Sequence, residues 1–297
     1  MDVMNNALDI FSLSMIFALI GFSVHLTTSV INTIDLTCDG SLVLGACAYW
    51  TLLTFGINPV VAFTVATSLG IVAGFVTSSL TTHAKIQPII AGIITLSLIQ
   101  TFVLKIFFAG KDYLISLDEV CNITPTPHVD NAVIMSVTVL IVGLMFHRLL
   151  DSEYGLTMKV IGEGKVISES LGIDYDHTLG VSLGIANGLA AAAGALITQV
   201  IGSFSMNMGA GALVFGLTAI IAGGKIISPT TAKRTVLSCF IGSVICKVFL
   251  ELCAYVCTYA GEQVVRAEFH YAINAVMLIF LMALINDQKR RNCLDNF

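Results

Sequence analysis

Nine apolar runs follow one another along the 297-residue chain, near residues 8–31, 40–55, 58–80, 88–108, 130–150, 178–202, 210–224, 233–258 and 268–286. Most approach the roughly 20 residues that a helix needs to cross a hydrocarbon core about 30 Å thick. Charged residues make up 11% of the chain, less than half the roughly 25% usual in soluble domains. Apolar residues reach 56% and the mean hydropathy is +0.92. Long apolar runs with so little charge imply helices that face lipid. The expected fold is therefore an all-α integral membrane protein, a polytopic bundle of eight or nine transmembrane segments forming one domain over residues 1–297. The stretch from Gly209 to Gly223 is short for a span, about 22 Å as a helix, so it is expected to be tilted, broken or re-entrant. The opening MDVMNNALD lacks the basic region of a cleavable signal, and the first run is expected to remain as a span.

Orientation follows from where Lys and Arg fall. If each run crosses once and the C-terminal NDQKRRN faces the cytoplasm, one side carries Lys85, Arg148, Lys159, Lys165, Lys225, Lys233, Arg234, Lys289, Arg290 and Arg291. The other side carries Lys105, Lys111 and Arg266, and Lys247 falls inside a run. This bias puts the N-terminus outside and the C-terminus in the cytoplasm. It makes residues 151–177 a cytoplasmic loop and 109–129 an extracytoplasmic one. The net charge is −5 with no basic stripe, which does not suit a nucleic-acid partner. The eight cysteines form no CxxC pair and read as small packing residues. No metal site is indicated.

The cytoplasmic stretch is the hydrophilic exception. Residues 151–176, DSEYGLTMKVIGEGKVISESLGIDYD, hold eight charged side chains. Gly162 and Gly164 are expected to break the chain, and Gly172 suits a helix C-cap. Between them KVISESL can make two helical turns with Val166, Ile167 and Leu171 on one edge. Such a helix can dock into a groove on a soluble partner or lie on lipid headgroups, and the pattern does not choose between them.

The run GLTMKVIGEGKVISESLGIDYDHTLGVSLGIANGLAAAAGALITQ (155–199) resembles the region around the coupling helix in permeases of bacterial ATP-binding cassette importers, branched-chain-amino-acid type. NGLAAAAGALITQVIGSFSMNMGAGALVFGLTAIIAGGK (187–225) and INTIDLTCDGS (31–41) are similar to a tryptophan-type and uncharacterised branch of that superfamily. The likeness covers residues 10–286, and departs in Ser168 and Ser170 near where alanine is common. It implies that Gly162, Glu163, Gly164, Lys165, Val166, Ile167, Glu169, Leu171 and Gly172 meet a cytoplasmic ATPase. It also implies a homodimer of permease copies, two ATPase subunits, an extracytoplasmic solute-binding protein, and residence in the bacterial inner membrane. No G-x-x-x-x-G-K-[ST] loop occurs; GEGKV and AGGKI lack its upstream glycine and following hydroxyl. ATP and Mg are thus expected on the partner subunit, with no cofactor in this chain. An HExxH motif is absent too, and an enzymatic role for the chain is not expected.

Inside the apolar runs, a few residues break the pattern. Gly180, Gly184, Gly188 and Ala192 recur every four positions, a groove for close helix packing in lipid. Whether its partner lies in the same chain or a second copy is open. Asp35 and Asp39 flank a helix break, where carboxylates cap exposed amides or serve transport. Lys247 and Glu251 share a helix face and can pair, or line a path. Asn187 suits an interhelical hydrogen bond, and Asn207 and Met208 precede the short run, where they could line an outward cavity. The resemblance implies inward movement of a small solute, an amino acid and possibly an aromatic one. The competing class is an ion-coupled secondary transporter, in which Asp35, Asp39, Lys247 and Glu251 would hold the coupling ion near mid-membrane. A membrane scaffold without transport is the third class.

Overall fold

The computed structural model describes residues 2–107, 128–228 and 231–259, with helical residues 276, 277 and 279. Among them are ten α-helices and no strand. In chain order these are α1 (Asp2–His25), α2 (Thr37–Thr54), α3 (Pro59–Thr82), α4 (Pro88–Phe107), α5 (His128–Asp151), α6 (Glu153–Gly162), α7 (Lys165–Ser170), α8 (Tyr175–Ile201), α9 (Ala212–Ile226) and α10 (Ala232–Tyr259). Six segments are long and apolar enough to cross a membrane, and α5 with α6 makes a seventh if that bent pair is one span. The loop expected over 109–129 lies outside the described residues as far as Pro127, and α5 begins at His128. Most of the run 268–286, and all of NDQKRRN, lie outside them too.

The run at 40–55 becomes α2, which is not among the six because Thr37, Asp39 and Ser41 lower its hydropathy. Those polar groups are tolerated because most of α2 is buried against other helices. A helix surrounded by protein need not be as apolar as one facing lipid. The short run at 210–224 is one continuous helix from Ala212 on, and the irregular turns lie just before it. A 3-10 helix (Met206–Gly209) and the left-handed turn at Gly211 (φ +78°) precede the fifteen residues of α9.

The centre of the bundle is α8, whose span is 83% buried, against 28% for α4. Its small residues form two faces. Gly180, Gly184 and Gly188 meet Phe75, Ile71 and the Thr67 carbonyl of α3. On α3, Cβ atoms added at Gly70 or Gly74 would overlap the Ala191 methyl and the Leu183 carbonyl of α8. The four-residue groove thus finds its partner within the same chain. Gly194 closes against Leu42 of α2, and Gly45 of α2 against Ala191. Ala192 is 3% exposed. Such contacts let backbones approach and gain dispersion energy where no hydrophobic force separates helix from lipid.

A second unit joins α1, α5, α9 and α10. Gly223 and Gly242 bring α9 and α10 into backbone contact. Phe22 of α1 stacks on Phe146 of α5 at 5.0 Å between centroids, and Phe17 meets Phe215 of α9 edge-on at 4.7 Å. Outward-facing Val72, Leu98, Leu140 and Met145 stay exposed, the surface a lipid solvent would cover.

These contacts separate two glycines by their surroundings. Gly74→Ala should lower stability by about 1–3 kcal/mol through overpacking. Gly224→Ala, with no atom within 4 Å of the added methyl, should be neutral or stabilising by roughly 0.5–1 kcal/mol. Thermal unfolding of the two purified variants in one detergent compares them directly.

Candidate functional site

The hydrophilic stretch forms a stiff arm at one end of the bundle. Its first bend, 71° between α5 and α6, is made by Ser152. That hydroxyl donates to the Leu149 carbonyl at 2.6 Å and accepts from the Gly155 amide at 3.2 Å, capping α6. Gly155 sits so close to the Leu149 carbonyl that any side chain would collide with it. Here one expectation needs correction: Gly162 does not break the chain. It closes α6, packed against the Val30 carbonyl in the π-helical turn (Leu26–Val30) that ends α1. The close approach, rather than a turn, requires glycine there. The break falls at Glu163 and Gly164, where Gly164 has φ +115°, accessible to glycine alone without strain.

Beyond it, α7 is pinned from beneath. Ser168 is fully buried, and its hydroxyl donates to the Gly164 carbonyl at 2.9 Å and the Val160 carbonyl at 3.3 Å. An alanine here could not make this link to α6. Gly172 (φ +75°) turns the chain, and the Ile173 amide donates back to the Ser168 carbonyl at 3.0 Å. Lys165 bridges to Asp176 at 2.9 Å and Glu169 at 3.7 Å. The hydrogen bond that Lys165 donates to the Asp176 carboxylate raises the ammonium's pKa above its usual range. Asp174 caps α8 through the His177 amide at 3.0 Å. The other face of α7 is open: Val166, Ile167 and Leu171 are 82%, 47% and 64% exposed. Three apolar side chains thus stand together, uncovered, on one edge of the arm.

From the same end of the bundle a buried polar cluster runs inward. Asp35 is 2% exposed and accepts from the Thr37 amide at 2.8 Å and from Asn187 Nδ2 at 2.7 Å. Asn187 Nδ2 also donates to the Leu183 carbonyl, and its Oδ1 accepts from the Ser41 hydroxyl at 2.7 Å. Thr37 and Thr77 hydroxyls meet at 2.8 Å. These bonds tie α2, α3 and α8 together, so Asp35 caps its own helix while anchoring another. Asp39 caps a different one: its Oδ1 accepts from the Leu213 amide at 2.8 Å, at the start of α9. A carboxylate suits the positive end of that helix.

The remaining residues are dispersed. Lys247 and Glu251 pair at 2.9 Å on α10, and the Lys247 ammonium lies 4.8 Å from the Phe17 ring centroid. Asn207 is exposed on the 3-10 helix, and Met208 packs half-buried against the core around Val43. The segment bearing them meets α2 through Gly209, packed against the Asp39 carbonyl. Thr37, Ser41 and Thr77 escaped sequence reasoning, although the four-residue spacing of Thr37 and Ser41 marks one helix face.

The family model for the branched-chain amino acid transport system permease component matches residues 6–282. The chain is 30% identical over 242 residues to the tyrosine transport system permease protein of Clostridioides difficile (strain R20291), covering 82% of this chain and 81% of that one. It is 28% identical over 229 residues to the uncharacterized protein RP368 of Rickettsia prowazekii (strain Madrid E), covering 73% and 78%. A solved metal-chelate type ABC transporter in an inward-facing conformation shares the fold at a TM-score of 0.56, with 13% identity over 93% of this chain and 84% of that one.

The polar cluster has a measurable stability. Asn187→Leu strands the Asp35 carboxylate and the Ser41 hydroxyl and should cost about 3 kcal/mol or more. Gln199→Leu leaves only the Tyr49 hydroxyl without its 2.9 Å acceptor and should cost roughly 1 kcal/mol. Scanning fluorimetry of the two variants should show that order.

Proposed function

Because the chain belongs to the family of branched-chain amino acid transport system permease components, we propose that it is the membrane-spanning subunit of an ATP-binding cassette importer whose α7 is the docking point for the ATPase. The observation that carries this reading is the α7 arm: a helix held rigidly by Ser168, Lys165 and Gly162, with Val166, Ile167 and Leu171 uncovered. A stiff element transmits displacement, whereas a flexible loop would absorb it. The excess of Lys and Arg on the α7 side supports a cytoplasmic location for it in the bacterial inner membrane.

Two permease copies form the pathway between them, and each rests α7 on its own cytoplasmic ATPase. ATP and Mg are held by those partners, and an extracytoplasmic binding protein delivers the solute. When the ATPases close on ATP, each α7 moves with its subunit. Through Gly162 that movement reaches the end of α1, and through Asp174 the start of α8. The central helices then change the side on which the cavity between the copies opens. The cargo is a small solute, an amino acid, and the tyrosine permease among the relatives supports an aromatic one.

The four intramembrane charges weigh against the ion-coupled alternative. Asp35 and Asp39 are engaged by backbone amides and Asn187, and Lys247 is neutralised by Glu251. A coupling ion would have to displace these bonds.

Affinity purification of the tagged permease from its native membrane should bring down an ATPase in stoichiometric amount. Ile167→Asp or Leu171→Asp should remove that ATPase while the permease itself remains folded, since both side chains are exposed. A permease that purifies alone, with uptake that collapses when the proton gradient is dissipated, would instead support the secondary transporter.

A further inference from the structure

A cavity of about 500 Å³ opens at the α7 end of the bundle, between the ends of α1, α5, α6, α9 and α10. It is distinct from the docking edge and from the Asp35 cluster, and its size suits a small molecule. One wall carries His25, 8% exposed, with its Nδ1 buried and lacking any hydrogen-bond partner. A buried imidazole nitrogen left so is costly, and because the ring borders the cavity, a turn of it toward that space lets a ligand pair with it. Around it stand the hydroxyl-bearing Ser29, Thr231, Thr235 and Ser238. The first turn of the 28-residue α10 reaches the same wall through Ala232, bringing the positive end of a long helix.

Two opposite charges complete the lining: Lys159 on α6 and Asp151 at the end of α5. Asp151 remains 57% exposed beside His147 at 3.3 Å. A purely anionic ligand would meet the Asp151 carboxylate, and a purely cationic one the Lys159 ammonium. The complementary ligand carries both signs. Its negative group faces many donors, more than a carboxylate needs and well suited to a phosphodiester. Leu156, one turn before Lys159 on α6, and Leu237, between Thr235 and Ser238 on α10, are both exposed, so the two helices that carry these lining residues also bear apolar surface for lipid chains.

We propose that this cavity binds the headgroup of a zwitterionic phospholipid with a primary ammonium, the phosphate against Lys159, His25 and the α10 first turn, the ammonium against Asp151. Bound there, the lipid joins α6 to α1 and α10 and stiffens the root of the arm. The site does not depend on what the permease carries.

The test uses the full chain, purified in mild detergent and stripped of lipid. It is then offered equal amounts of phosphatidylethanolamine, phosphatidylglycerol and phosphatidylcholine with matched acyl chains. Native mass spectrometry should show phosphatidylethanolamine retained roughly tenfold over the other two, the effect of one charge-assisted hydrogen bond. Asp151→Asn should abolish the preference over phosphatidylglycerol, and Lys159→Gln should weaken retention of all three about tenfold. Both side chains are exposed, so neither change should disturb folding. Equal retention of the three lipids by the unaltered chain, or unchanged retention by Lys159→Gln, overturns the proposal. So does displacement of the lipid by millimolar tyrosine or free phosphoethanolamine, which would assign the cavity to a soluble zwitterion.

Discussion

Asn187 is the side chain at which the central helices of this protein are committed to one another. In a membrane interior a polar group has no water to fall back on, so each donor and acceptor must find a protein partner. Asn187 answers three such demands, binding Asp35, the Leu183 carbonyl and Ser41. Its own carbonyl lies against Gly70, so the hydrogen bonds and the closest backbone approach coincide. Shifting α8 by one residue along α2 or α3 would break both. Apolar packing alone tolerates such sliding, because one apolar contact is much like another in lipid. The polar hub fixes the register, and the glycines allow the helices to come near enough for it to form.

That division of labour explains what could be read in the sequence. The four-residue spacing of Gly180, Gly184 and Gly188, the pairing of Lys247 with Glu251, and the two-turn helix at 165–170 are local patterns, set by neighbours within a turn or two. Each was legible because helical geometry alone dictates it. The reciprocal glycines Gly45, Gly70, Gly74 and Gly194 lie singly or in pairs on three helices, and only the fold brings them together. Asp39 shows the same limit. Capping was foreseen for it, but the helix it caps begins at Ala212, and nothing in its own neighbourhood points there. Gly162 was misread because a glycine's role depends on what approaches it, and Val30 is remote in sequence.

The arm and the core are mechanically continuous. Between Ser152 and Asp174 every turn is closed by a hydrogen bond or a glycine contact, and the bonds formed by Ser168 make α6 and α7 one body. Its two anchors differ in kind. At one end Gly162 rests on the π-helical turn that ends α1, a rare geometry at which helices kink. At the other, α7 leads within a few residues into α8, the most enclosed helix of the bundle.

In the proposed coupling, a push on α7 would be divided unequally. Toward α8 it meets backbone contacts that would overlap if the helix moved sideways, so α8 can only travel with α2 and α3 as a unit. Toward α1 it meets a turn that can change its winding. In that coupling the element that would yield is the turn at Leu26–Val30 and the bend that follows, where Asn32 takes a positive φ of 56°. Asp35 stands just beyond that bend, at the start of the rigid group. The boundary between the part that yields and the part that moves whole falls between these residues, within two turns of where α6 makes contact.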